Sequence, residues 1–178
     1  MRMFFCIFTI LGSLTTVFPY VTFTNLKCIT KDVKFAKFEK CYIKAVNRTH
    51  KYLDIHANMY KKSINNVSVN VKLMRYDHGY RPFFVDLHID VCKFLKNPRI
   101  PIAKLFFDIY KNNSNINHTC PYNHDIIIDH VYTGNLESNI FKYIPLRSGD
   151  FAIYSEWSVY NIVRSLINVY VRVSEKQE

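Results

Sequence analysis

The sequence predicts an all-β protein, an immunoglobulin-like β-sandwich of seven to eight antiparallel strands with one short inserted helix at about residues 100–111. Three observations carry that expectation. Apolar residues recur with a period of two along most of the chain, the pattern of strands with one buried face. Hydrophobic residues make up 49% of the 178 and aromatic residues 16%, against 4 Gly and 6 Pro, so a packed core is available and disordered or collagen-like classes are excluded. One stretch, Ile100 to Lys111, instead places Ile102, Leu105, Phe106 and Ile109 at helical spacing, with Pro101 at an early position where a missing amide costs little.

Taken in order, residues 1–18 begin with Arg2, run through Phe4, Phe5, Ile7, Phe8, Ile10 and Leu11, and pass into Gly12, Ser13, Thr15 and Thr16, the layout of a secretory signal peptide. A membrane anchor would need about 20 apolar residues, and the Ser/Thr run with Pro19 interrupts one. The mature chain is then a single domain over 19–178, secreted and extracellular. Cys41 to Val46 makes a short strand that turns at Asn47 to His50. Leu53, Ile55, Ala57 and Met59 alternate with Tyr52, Asp54, His56 and Asn58; after the polar turn Lys61 to Asn65 the alternation resumes as Val67, Val69, Val71 and Leu73, which predicts a hairpin. The turn Asp77 to Pro82 leads into Phe83, Val85, Leu87, Ile89 and Val91, and Cys92 to Asn97 offers a further helical turn before the inserted helix. Asp125 to Tyr132 is one more strand, and Phe151, Ile153 and Trp157, a turn near Asn161 to Arg164, and Ile167, Val169, Val171 and Val173 complete the domain.

Removal of the leader takes Cys6 with it and leaves Cys28, Cys41, Cys92 and Cys120, an even number that reads as two disulfides in a secreted chain. Four cysteines allow 3 pairings. Local closure favours Cys28 with Cys41 and Cys92 with Cys120, the second stapling the two ends of the helical insertion. Asn-x-Ser/Thr sequons begin at Asn47, Asn66, Asn112 and Asn117, each at an expected turn or loop, so glycosylation is expected, first at Asn47 and Asn117.

No G-x-S-x-G elbow, Gly-rich phosphate loop or H-E-x-x-H occurs, so the chain is not expected to be an enzyme and no cofactor is implied. His118, Cys120, His124, Asp125, Asp129 and His130 crowd one region, but the spacing fits no standard zinc pattern and Cys120 is needed for a disulfide, so no metal site is expected. Basic residues exceed acidic ones by 24 to 14, for a net charge of +10, and are spread from Lys27 through Lys31, Lys34, Lys37, Lys40 and Lys44 to Lys61, Lys62, Lys72 and Arg75. Secretion argues against a nucleic-acid partner; a membrane receptor or an anionic membrane surface suits that charge better. The wealth of large rings admits two interiors, a filled core or a cavity lined by apolar side chains, and periodicity does not separate them.

Read together, Phe23 to Cys28, Cys41 to Thr49, Gly79 to Phe83, Asp90 to Asn97, Asn117 to Asp125, Pro145 to Phe151 and Trp157 to Val173 resemble a large insect family of small secreted proteins that includes the chemosensory-B proteins of taste hairs. That family is similar to the lipid-recognition superfamily of the ganglioside activator and the Niemann-Pick sterol carrier. The resemblance covers the mature chain, including Cys28, Cys41, Cys92 and Cys120, and departs at Asn123, where Asp is usual, and at Ser148, where an acidic residue is usual. It implies a lipid-recognition-like sandwich whose sheets part to hold a lipid or another apolar small molecule, as a carrier or chemosensory accessory. The cavity is expected to be lined by Leu53, Ile55, Val69, Val71, Phe83, Val85, Phe106, Phe151 and Trp157. The competing expectation is a filled sandwich that binds a receptor or acidic surface through its basic face.

Overall fold

In the computed structural model, which describes residues 18–47, 50–141, 143–144 and 146–176, the alternating pattern becomes eight antiparallel strands in two facing sheets. They are β1 (Phe18–Thr30), β2 (Ala36–Ala45), β3 (Lys51–Met59), β4 (Val67–Tyr76), β5 (Tyr80–Asp90), β6 (Ile126–Tyr132), β7 (Gly149–Val159) and β8 (Ile162–Lys176). Five form one sheet in the order β1-β8-β7-β4-β5, and three form the other in the order β2-β3-β6. The expected leader lies outside the described residues apart from Phe18, as do Cys6 and, within the first sequon, Arg48 and Thr49.

The sequence pattern fixes which face each strand buries but not which strand it pairs with. β3 and β4 do not form the expected hairpin: β3 lies between β2 and β6, while β4 pairs with β5 and β7. Residues 60–66 cross from one sheet to the other, and Ile64, 3% exposed, anchors the crossing through a bridge to Tyr122. The two apolar faces therefore look at each other across the core. β1 was hidden in the sequence because a bulge between Phe23 and Asn25 shifts its phase, so Val21 and Phe23 and then Leu26 and Cys28 turn inward. The last hairpin turns at Tyr160 and Asn161, both with φ near +60°, a tighter turn than the Asn161–Arg164 expectation and the kind that matches strand twist. Lys37, Lys40 and Lys44 sit exposed along β2, an edge strand, where lysines discourage pairing with another chain.

Besides the expected inserted helix, the helical turn offered at Cys92 to Asn97 is formed, and a further short helix that the sequence did not announce follows β6. α1 (Val91–Lys96) is capped by Asp90, whose Oδ1 accepts the Lys93 amide at 3.0 Å. α2 (Pro101–Tyr110) is the expected helix and buries Ala103, Phe106 and Ile109. α3 (Thr133–Leu136) continues into a wider helical turn over 137–141. Its Thr-Gly-Asn sequence is a poor helix former, so it is invisible to propensity and rests on tertiary contacts: Leu136 is buried and Glu137 Oε1 accepts the Val21 amide at 2.7 Å.

Disulfides join Cys28 to Cys41 and Cys92 to Cys120. The first ties β1 to β2 and so pins one flank of the sandwich. On the other flank α1 packs on β4 and β5, and α2 on β6 and α3, so helices close the side between the free edges. The second disulfide holds the start of α1 to the loop that precedes β6.

Candidate functional site

The inner face of β7 reads along the long axis of the sandwich. Phe151, at 1% exposure, and Val159, at 5%, are sealed at its two ends, whereas Ile153, Ser155 and Trp157 between them keep accessible surface. On β8 the same holds: Ile167 and Val169 are only partly buried, and Val171 and Val173 are sealed. Inward apolar side chains at the centre of the central strands should be the most buried in a filled core. Here they border a void.

That void is a cavity of about 140 Å³, walled by Leu53 and Ile55 from β3, Val69 and Val71 from β4, Ile153, Ser155 and Trp157 from β7, and Ile167 and Val169 from β8, among others. Helices contribute Phe94 and Leu95 from α1, Phe106, Phe107 and Tyr110 from α2, and Leu136 from α3, and Phe23 of β1, Ile89 of β5 and Ile128 and Val131 of β6 also line it. A second cavity of about 100 Å³ adjoins it towards Phe35 and Tyr122 and shares Ile55, Trp157 and Ile167 with it.

Of the nine residues expected to line a cavity, the structure brings six together around the larger one: Leu53, Ile55, Val69, Val71, Phe106 and Trp157. Phe83, Val85 and Phe151 do not line it. They pack at the filled end, where Phe83 lies 5.9 Å from Phe151 and 4.7 Å from Phe84 between ring centroids. The strand pattern, and for Phe106 the helical spacing, marks all nine as inward but carries no position along the axis. Apart from Phe106, the α1 and α2 residues of the wall were missed because helical periodicity marks them as core and cannot say that they face space.

Polar groups in the wall are few. The Trp157 indole N–H donates to Ser155 Oγ at 3.1 Å, and that hydroxyl donates to the Ile167 carbonyl at 2.8 Å, so the two satisfy each other. Tyr122, in the wall of the smaller cavity, is pushed up to about 12 by burial, and its hydroxyl donates to the His118 carbonyl at 2.9 Å. Arg164, also there, pairs with Asp32 and stacks over Phe35, 4.6 Å from its ring centroid.

The histidine-rich region divides into two structural clusters. His118 and His124 face each other at 2.8 Å between Nε2 atoms, with Asn115 Nδ2 3.0 Å from His124 Nδ1 and the Thr119 carbonyl 2.7 Å from His118 Nδ1, a relay that organises the loop beside Cys120. Asp125 accepts the Met59 amide at 2.8 Å. Asp129 and His130 instead join Asp54 on the outer face of the smaller sheet, their donor atoms within 4.8 Å of one another. Asp54 is 3% exposed; burial by itself would raise its carboxyl, but the His130 amide at 2.7 Å and the Tyr42 hydroxyl outweigh that and hold it below its ordinary value. Tyr42 is pushed up to about 12 in turn by its hydrogen bond to Asp54. His130 stacks on Tyr52 at 4.3 Å. The donors of this cluster thus already bond one another across the strand bulge.

The sequon residues Asn47, Asn66, Asn112 and Asn117 are all exposed. Among the described residues no helix is long and apolar enough to cross a membrane. No curated protein matches the sequence. Residues 69–153, from β4 into β7, match a family described as a protein of unknown function (DUF1091), and to that family this part of the chain is similar.

Proposed function

We propose that the protein is a secreted, non-catalytic binder or carrier of a lipid or other apolar small molecule, held between its two sheets. The observation that carries this reading is the accessible surface kept by Ile153, Trp157, Ile167 and Val169 at the centre of the inner faces. Binding sites for small molecules are concave and mostly apolar, with few polar groups, and the wall of the larger cavity fits that description. Its one serine is already engaged, which leaves it without an activated nucleophile. The leader-like residues 1–18, the two disulfides and the exposed sequons support export and glycosylation. The resemblance to the insect family of the chemosensory-B proteins supports the same ligand chemistry and adds a role in taste or pheromone sensing.

Size bounds the cargo. An engineered cavity of about 150 Å³ with apolar walls stays dry and takes up benzene, so the larger void, at about 140 Å³, suits a ligand or chain segment of that bulk. A ligand that loses about 300 Å² of apolar surface gains roughly 7 kcal/mol gross, reduced by the cost of immobilisation. Native mass spectrometry of the protein secreted from insect cells, after glycan removal and with organic extraction of bound material, tests the reading. A stoichiometric apolar adduct is the expected result. A clean apo mass with no uptake from a mixed lipid and hydrocarbon panel would overturn it, in favour of a receptor- or membrane-surface binder acting through the basic face.

A further inference from the structure

The larger cavity contains one hydroxyl with nothing to bond. Ser155 and Trp157 satisfy each other there, and Tyr122 next door spends its hydroxyl on a carbonyl. Tyr110, at the end of α2, lines the cavity, yet its hydroxyl has no hydrogen-bond partner among the described residues. Tyr110 keeps some accessible surface while burial drives its phenol far above the ordinary value. Its ring is fixed edge-on against Phe107, with centroids 5.6 Å apart at 90°, so its position is set by the helix that bears it.

Native structures pair nearly all their buried polar groups, so an unpaired hydroxyl facing an apolar void is a recognition element awaiting its partner. We propose that Tyr110 is the specificity-determining residue of the cavity and that its hydroxyl donates to the oxygen of a neutral carbonyl ligand, an aldehyde, ketone or ester with a compact apolar body. This rests on the cavity reading above and narrows its ligand class. The phenol stays protonated throughout the physiological range, so it is a donor. A carboxylate is disfavoured, because one neutral donor does not compensate a charge taken into an apolar site. Arg164, the cation in the neighbouring wall, pairs through Nη1 with Asp32 and lies over Phe35, while its buried Nε has no hydrogen-bond partner among the described residues. The two voids together suit a body of roughly six to ten non-hydrogen atoms, scaled from the cavity that holds benzene.

The test is Tyr110→Phe, which removes a single oxygen. Binding of a matched set is followed by quenching of the fluorescence of Trp157, the single tryptophan and part of the wall of both cavities. The set is a linear alkane, the ketone and aldehyde of the same length, and the corresponding carboxylate at neutral pH. Wild type should prefer the carbonyl compounds to the alkane by about tenfold, the scale of one net hydrogen bond, and Y110F should bring that ratio close to one. Y110F should also leave the urea midpoint of the apo protein unchanged or raise it, since the hydroxyl it removes has no hydrogen-bond partner to lose. A preference that is absent in wild type or survives in Y110F overturns the proposal, as does a carboxylate that binds as tightly as the aldehyde. If the alkane and the carbonyls are both refused, the cavity reading itself has failed and the proposal falls with it; alkane binding without discrimination refutes Tyr110 alone.

Discussion

Replacing Val169 by Phe asks whether the centre of the sandwich is empty. Val169 lies on the inner face of β8, opposite Ile153, in the wall of the larger cavity. In a filled core the added bulk would force side chains off their rotamers at about 1–3 kcal/mol. A void costs about 24 cal/mol per Å³, so 140 Å³ of it corresponds to about 3 kcal/mol that a well-placed ring can partly regain. V169F is therefore expected to lie between neutral and about 2 kcal/mol more stable than wild type. Val171→Phe is the control: it is two residues further along the same face, but Val171 is 5% exposed and lies beside Phe23 and Phe151 at the filled end. There the usual loss of about 1–3 kcal/mol applies. Urea unfolding read through Trp157 reports both, with an unchanged slope required for the comparison. V169F should also weaken uptake of apolar probes. Equal losses in the two variants would refute the argument, because they would show that the two positions are packed alike.

Three further outcomes follow from the closures and the titrating groups. Removing the Cys92–Cys120 disulfide as a Cys92→Ala, Cys120→Ala pair should cost roughly 3.6 kcal/mol by chain-entropy scaling for a separation of 28 residues, measured by urea denaturation; an unchanged midpoint would count against its structural role. Asp90→Ala should cost about 1 kcal/mol through loss of the α1 cap. The Lys93 amide holds the Asp90 carboxyl below its ordinary value, so this contribution is complete above about pH 4 and fades as pH falls through the lowered value; wild type and variant should converge in acid. At the other extreme, Tyr42, Tyr122 and Tyr154 are each raised to about 12, so the stability they contribute is complete below about pH 10, where unfolded tyrosines begin to ionise, and is lost as pH rises towards their folded values. Phenolate absorbance should accordingly show a delayed fraction, and complete ionisation near pH 10 with Trp157 still in its native environment would contradict the structure.

How much was legible beforehand depended on whether a feature was periodic. Strands with uninterrupted alternation, such as Val67 to Leu73, announced themselves, and so did the Pro101-led helix. The even set of cysteines and their local loops matched the pairing found. Pairing partners were not legible: β3 and β4 carry the same inward pattern whether they lie side by side or face to face, and only the buried Ile64 in their connection marks the crossing. Bulges hid β1 for a related reason, since one extra residue reverses the alternation that a reader follows. The site was half legible. Inwardness identified Leu53, Ile55, Val69, Val71, Phe106 and Trp157, but whether an inward residue meets another side chain or a void depends on the distance between sheets. Nothing in the spacing of one strand encodes that distance. Tyr110 shows the same limit, because on the helical wheel it is an ordinary flank residue beside Ile109.

The distance between sheets is set by the flanks. Native interiors pack to the density of organic crystals, and two facing sheets of Val, Ile and Leu would close on each other if they were free to move. Voids of about 140 and 100 Å³ together forgo roughly 6 kcal/mol on the cavity scale, a large fraction of the 5–15 kcal/mol that stabilises a typical domain. Cross-links with separations of 13 and 28 residues offset a similar amount, roughly 3 and 3.6 kcal/mol. Their positions matter as much as their size. Cys28–Cys41 fixes the separation of β1 from β2 on one side, and Cys92–Cys120 anchors α1, a wall of the cavity, on the other. With both sides held and α2 wedged between α3 and β6, collapse onto the void would require a covalent tie or a packed helix to move. A void that persists unfilled needs such a frame, and in this chain the frame consists of the four cysteines and the inserted helices.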